Sequence, residues 1–310
     1  MNRPRFLVLI VFTLLLGCES NTLSYLADDT GKQADIEEAR IALDDGNYDK
    51  AIRLVEDDYN ASSPDLEVAD ILASAYMGKA GLDLTYVLEN IGTGDGSHFD
   101  IVASALSLTV TDQGYPASAQ LAQSRALSDE AGERYITASS IAGLLESLEN
   151  AQSILVTLID YAEGRGADPD TDAVVQLGMA SALHFIMMSG DIVSEVMGSN
   201  VPVNRAAYQE IFPEDTDWLS LLNETASYID ANPDDLSALK SDLANVYDAV
   251  QALIENIGLD EDITGELDGF IRDLLGVPES APDQTVVNAI NAYTGADFAE
   301  FVYTELLSYD

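Results

Sequence analysis

The chain predicts an all-α fold on three observations. Apolar residues recur at spacings of three and four along most of its length, as in Ile36, Ala39 and Leu43, or Ile154, Leu155, Leu158 and Ile159. Pro-Asp pairs stand immediately before four of these runs, at Pro64-Asp65, Pro169-Asp170, Pro233-Asp234 and Pro282-Asp283. No stretch alternates apolar and polar residues as a half-buried strand would. Proline suits the first helical position, where its missing N–H is not needed, and the aspartate meets the positive end of the helix dipole. The pairs are unevenly spaced, so they punctuate helices without marking a fixed repeat.

Composition narrows the partners. The 310 residues are 47% apolar, too many for a disordered acidic tail, yet carry 55 acids against 13 bases for a formal charge of −42. Nucleic-acid binding requires a basic surface to displace counterions, and no such surface is available. Anionic lipid headgroups would also repel the domain. The acids serve either as solvated helix faces that keep the protein soluble, or as a surface for cations or a basic partner protein.

The first residues carry an address. Arg3 and Arg5 precede an apolar run, Phe6 to Leu16, broken only by Thr13 and closing on Leu15-Leu16-Gly17-Cys18. A basic start and a short apolar core form the pattern of an export signal, too short to span a bilayer comfortably. The closing tetrapeptide resembles the lipobox of bacterial lipoproteins. That resemblance implies cleavage of residues 1–17, acylation of Cys18 on its thiol and new amine, and a place in the cell envelope. Glu19 stands where an aspartate would imply retention at the inner membrane, so the resemblance implies the outer membrane, with the domain facing the periplasm. Loss of the leader removes two bases, and the mature part carries 11 bases against 55 acids, a formal charge of −44. Cys18 is the sole cysteine, and its lipidation leaves none for a disulfide, a thiolate nucleophile or a zinc site.

Residues 18–33 read as the lipidated cysteine and a short polar tether, and 34–310 as one all-α region. Helices are expected from Ala34 to the Asp45-Gly46-Asn47 turn, from Tyr48 through Val55, and from Leu66 to Met77 before Ala80-Gly81. These residues resemble the tetratricopeptide repeat. Gly46 falls at the turn, Ala39 and Ala51 at the small-residue positions of the two helices, and Ala73, with Leu72 before it and Tyr76 beyond, about one 34-residue repeat later. Small residues there let helices approach, and the aromatic fills the gap. Thr85 departs from the pattern, so the resemblance covers the hairpins within 34–98, with further helices in 99–310 packed on them.

Those further helices are expected at Leu82 to Ile91, Phe99 to Leu108, Ser118 to Leu127, Asp129 to Tyr161, Thr171 to Met197, Trp218 to Ile229, Asn232 to Asn256, Ile263 to Leu275, Asp283 to Tyr293 and Phe298 to Leu307. Val174 to Met188 is the most apolar mature stretch, and its polar Gln176, Ser181 and His184 mark a buried helix and not a membrane span. Met179, Met187 and Met188 fill a core or line an adaptable apolar groove.

Catalytic signatures are lacking. The chain has only two histidines, His98 and His184, neither beside a nucleophile motif, and it has no HExxH, dinucleotide fingerprint or Walker loop. Gly92 to Ser97 reads as an inter-helix loop, with no P-loop lysine after it, and lone His184 as structural. Asp260 to Asp268 imitates the front of a calcium loop, but Ile271 replaces the bidentate carboxylate at its twelfth position, leaving an acidic helix start. Adjacent acids such as Asp44-Asp45 point apart on a helix and make no acid/base dyad. No catalytic, metal or cofactor residue is expected, and Cys18 is the one modification site. A membrane-anchored helical scaffold or accessory subunit for a protein or peptide partner is the leading expectation, not an enzyme. The alternative is a small-ligand accessory protein resembling, in architecture alone, the T component of TRAP transporter systems.

Overall fold

The computed structural model describes residues 31–81, 138–198, 217–256 and most of 268–307, with the pairs 135–136 and 201–202. In its first helix, α1 (Lys32–Asp44), Ile36, Ala39 and Ala42 form the buried face. The helix starts two residues before the expected Ala34. The predicted turn follows, with Gly46 at φ 70°, a left-handed conformation that a side chain would strain. Asn47 then caps α2 (Tyr48–Val55) by accepting a hydrogen bond from the Lys50 N–H. In α3 (Leu66–Lys79), Leu72 and Ala73 are buried against this hairpin, and α3 packs on both α1 and α2. Gly78 of α3 lies against the ring of Tyr48, where a Cβ would collide.

Two long helices carry the array onward. α4 (Ala138–Glu163) and α5 (Thr171–Met197) run for 26 and 27 residues, each about 40 Å. They form an antiparallel pair around the Gly164-Arg165-Gly166 turn. At the other end of the pair, a short antiparallel clip joins β1 (Tyr135–Ile136) to β2 (Val201–Pro202). The clip corrects the helix expected over 129–161: Ile136 lies in β1, and the described helix begins at Ala138. β-branched and aromatic residues favour the extended backbone there, and Pro202 fits a ladder only two residues long. Then come α6 (Trp218–Ala231), α7 (Pro233–Asn256), α8 (Asp283–Ala292) and α9 (Gly295–Leu307). The fold is all-α, with the clip as its one described departure from helix and turn.

The Pro-Asp pairs start helices as expected, but their register varies. Only Pro233 occupies a first helical position. Asp65 and Asp170 are themselves the caps of α3 and α5, accepting from the backbone N–H of Glu67 and Val68, and of Asp172. Their prolines therefore lie one residue before the cap, and Pro282 is itself the cap residue of α8. A short carboxylate satisfies orphan first-turn donors directly, which is worth more than its interaction with the dipole alone.

Two apolar clusters make up most of the core. The first joins α1, α2 and α3 to Ile154, Leu155 and Leu158 of α4 and to Ala173 and Leu177 at the start of α5. The second gathers Phe185, Met188 and Ile192 from the far half of α5 with α7, α8 and α9 around fully buried Phe298. α5 thus belongs to both. It is the one described helix long and apolar enough to cross a membrane, and half of its most apolar window is buried inside the fold. Its closest neighbour is α7: a Cβ at Gly178 would collide with that of Ala249 and lie 3.1 Å from the Asn245 carbonyl oxygen.

Gly178 and Gly143, both inside helices, therefore respond in opposite ways to an added methyl group. Gly178→Ala should lower stability by about 1–3 kcal/mol by forcing α5 and α7 apart. Gly143→Ala, where a Cβ meets nothing within 4 Å, should raise it by about 0.5–1 kcal/mol. Urea unfolding followed by circular dichroism reads both changes.

Candidate functional site

Because α4 runs antiparallel to both its neighbours, α3 and α5 begin at the same end of the array. Their cap residues, Asp65 and Asp170, come together at the mouth of an open groove of about 400 Å³. Leu155 and Leu158 of α4 and Ala173 of α5 form its floor, and Arg40 of α1 reaches its edge. Leu66, Glu67 and Asp70 of α3 and Asp172 of α5 complete the wall, with Leu66 52% exposed. Gln176 of α5 donates to Asp70 at 2.9 Å, tying the two flanking helices together.

The rim is acidic and partly occupied by the chain's own cations. The Lys32 ammonium lies 2.6 Å from Asp65, and the Arg40 guanidinium 2.7 Å from Glu67. The Lys32 bond, helped by the Val68 and Glu67 N–H groups, holds the Asp65 carboxyl below its ordinary range. Lys32, which the sequence places before the first helix, instead opens α1 and bonds to the rim. Each cap carboxylate sits where an anion would bind a helix N-terminus, so the groove is built against anionic ligands.

A second polar constellation lies between the two apolar clusters. Asp242 of α7, 2% exposed, accepts from Gln152 Nε2 of α4 at 2.7 Å and pairs with His184 Nδ1 of α5 at 2.6 Å. Ser181 Oγ accepts from Gln152 at 2.9 Å and from Asn245 at 2.9 Å. The other imidazole nitrogen, Nε2, faces the Glu149 carboxylate at 3.8 Å. A Ser-His-Asp hydrolase needs its serine at that nitrogen; here Ser181 serves the amides and Glu149 occupies the position. The arrangement cross-links three helices, and among the described residues Glu149 is the group that faces the free imidazole nitrogen.

His184 is buried and bonded across helices, and it is not lone. Its partner Asp242 cannot be inferred from sequence spacing, because it comes from a helix 58 residues away. The available signal was an acid at helical spacing within the apolar stripe Leu239, Leu243, Tyr247 and Val250. Met187 and Met188 lie buried in the fold, while Met179 is half-buried. Of the calcium-like stretch, Asp268 accepts from Arg272 at 2.6 Å and Ile271 is buried in the second cluster. Among the described residues no group of three His, Cys, Asp or Glu side chains could hold a metal ion. Cys18, Thr85, His98, the 92–97 loop, residues 260–267 and the helices expected at 82–91, 99–108 and 118–127 lie outside the described residues.

The chain matches no protein-family model, no curated protein and no solved structure. The chemistry of the groove and of the buried constellation must speak for itself. Burial works against a charged imidazole, but the Asp242 and Glu149 carboxylates outweigh it and hold His184 above its ordinary value of 6.5. Burial also pushes Asp242 up, opposed by its bonds from His184, Gln152 and Ser181. The two directions agree: the folded protein binds protons here more tightly than the unfolded chain.

The contribution of His184 to stability is therefore fully present below pH 6.5 and is lost as pH rises through its higher folded value. With only two histidines in the chain, few other groups titrate in that window. The unfolding free energy should fall as pH is raised above 6.5, and His184→Asn should flatten that slope. Asp242→Ala should cost about 3–5 kcal/mol at neutral pH, because it strands the imidazole and its amide partner.

Proposed function

We propose that this protein is a lipid-anchored scaffold or accessory subunit of the bacterial cell envelope, held at the outer membrane through Cys18 and facing the periplasm. Its helical array, with tetratricopeptide-like first hairpins, binds a protein or peptide partner and performs no catalysis. The observation carrying this reading is the groove: α1, α3, α4 and α5 all contribute to one open, acid-rimmed concavity of about 400 Å³. Stacked helices form such surfaces because each buries one face on its neighbours and leaves another free. Solute binding of the T-component kind calls for a deep apolar cavity beside Val174 to Met188. The groove instead touches only the start of α5, and it is open and charged.

The anchor complements the groove. A tether of about fifteen residues has a root-mean-square reach of about 20 Å, and it ends at Lys32, which is bonded to the rim. Partner binding would then take place close to the lipid surface.

Two experiments test the reading. A photo-crosslinking residue in place of Asp172, in intact envelopes, should capture a protein partner; recovery of none would count against the scaffold role. Cys18→Ser should move a still-folded domain out of the membrane fraction. An uncleaved leader on the unmutated protein, with the Cys18→Ser variant still in the membrane fraction, would remove the lipid anchor from the account.

A further inference from the structure

We infer that the groove docks a basic segment of its partner, one that sets lysine or arginine side chains against Asp70, Asp170 and Asp172 and an apolar side chain over Leu66. This inference rests on the partner-binding reading above and names the chemistry that the same groove recognises.

The chain's own side chains show what the rim accepts. Lys32 and Arg40 already place an ammonium and a guanidinium on Asp65 and Glu67 at 2.6 and 2.7 Å. Five carboxylates line the groove, and these two cations neutralise two of them. Of the remaining three, Asp70 receives only a neutral amide from Gln176, and Asp170 only the backbone N–H of Asp172. No described lysine or arginine pairs with Asp70, Asp170 or Asp172, so cations from a partner would complete the pattern begun by α1.

One exposed leucine adds an apolar requirement. The floor residues Leu155, Leu158 and Ala173 are themselves buried, but Leu66 is half exposed beside the acids. A bare cation would leave Leu66 wet, whereas a segment carrying both basic and apolar residues covers it while pairing with the rim. The volume falls within the range of pockets that enclose a few side chains. The −44 charge of the mature chain supplies long-range attraction for a basic partner and repels acidic ones.

The test uses the full lipidated chain in neutral detergent micelles and a fluorescent peptide of alternating arginine and leucine, read by anisotropy. The matching glutamate-leucine peptide is the control. The basic peptide should bind, the acidic one should not, and added salt should weaken binding. The triple variant Asp70→Asn, Asp170→Asn, Asp172→Asn keeps a capping side chain on α5 and should weaken binding about tenfold or more. The charge-matched triple Glu224→Gln, Glu279→Gln, Glu300→Gln, on the α6–α9 side, should leave binding within about twofold. Circular dichroism verifies that both variants fold. Equal losses in the two variants would reduce the effect to the general field of the protein and overturn the proposal. Absence of peptide binding would also overturn it. If crosslinking captures a partner while the basic peptide fails to bind, this docking chemistry falls and the scaffold role stands.

Discussion

The Asp242 carboxylate, buried where α4, α5 and α7 meet, is the constraint on which the rest of the structure depends. A carboxylate removed from water is tolerated only when its oxygens are paired and bonded. Here Gln152 supplies one partner from α4 and His184 another from α5. Such a pair adds little net stability, because desolvation offsets most of the attraction. Its larger effect is to penalise any register that separates the partners. Sliding α7 along α5 by one turn would strand the acid in an apolar core.

That register sets everything beyond it. Gly178 permits the close approach of α7, and Asn245, one turn from Asp242, uses that approach to reach Ser181. With α5 held, its first residues are fixed against α3 and α4, and the two aspartate caps meet at the groove. Each cap is a local device of the chain, needed to start its own helix. Their adjacency belongs to the packing, since it requires α3 and α5 to run parallel with α4 reversed between them. A surface feature is thereby made from residues that each serve the fold first.

Much of this was legible in the chain. The 3.6-residue period, the Gly46 turn and the polar breaks located most described helices to within a few residues, because those signals act over one or two turns of backbone. The start of α4 is not legible in the sequence, because Ile136 fits a helical stripe as readily as a strand and only pairing with Val201 decides between them. The site was harder to see. Asp65, Asp70, Asp170 and Asp172 read individually as ordinary helix-start or solvated acids, since their convergence depends on tertiary packing. Asp242 was hidden likewise among 55 acids, distinguished only by standing on an apolar face. His184 could be identified as buried, but its partner lay too far along the chain to be inferred from spacing.

The continuity of α5 through both apolar clusters has a thermodynamic consequence. Had the chain broken near Ser181, the two clusters could melt independently, each with its own midpoint. A helix of 27 residues shared between them carries the loss of one into the other. Unravelling its first turns exposes Leu177, frees the Ser181 and His184 partners of α4 and α7, and leaves the far cluster without a firm edge. The two clusters are thus joined into one cooperative unit, and the opening that would dismantle the groove approaches global unfolding in free energy.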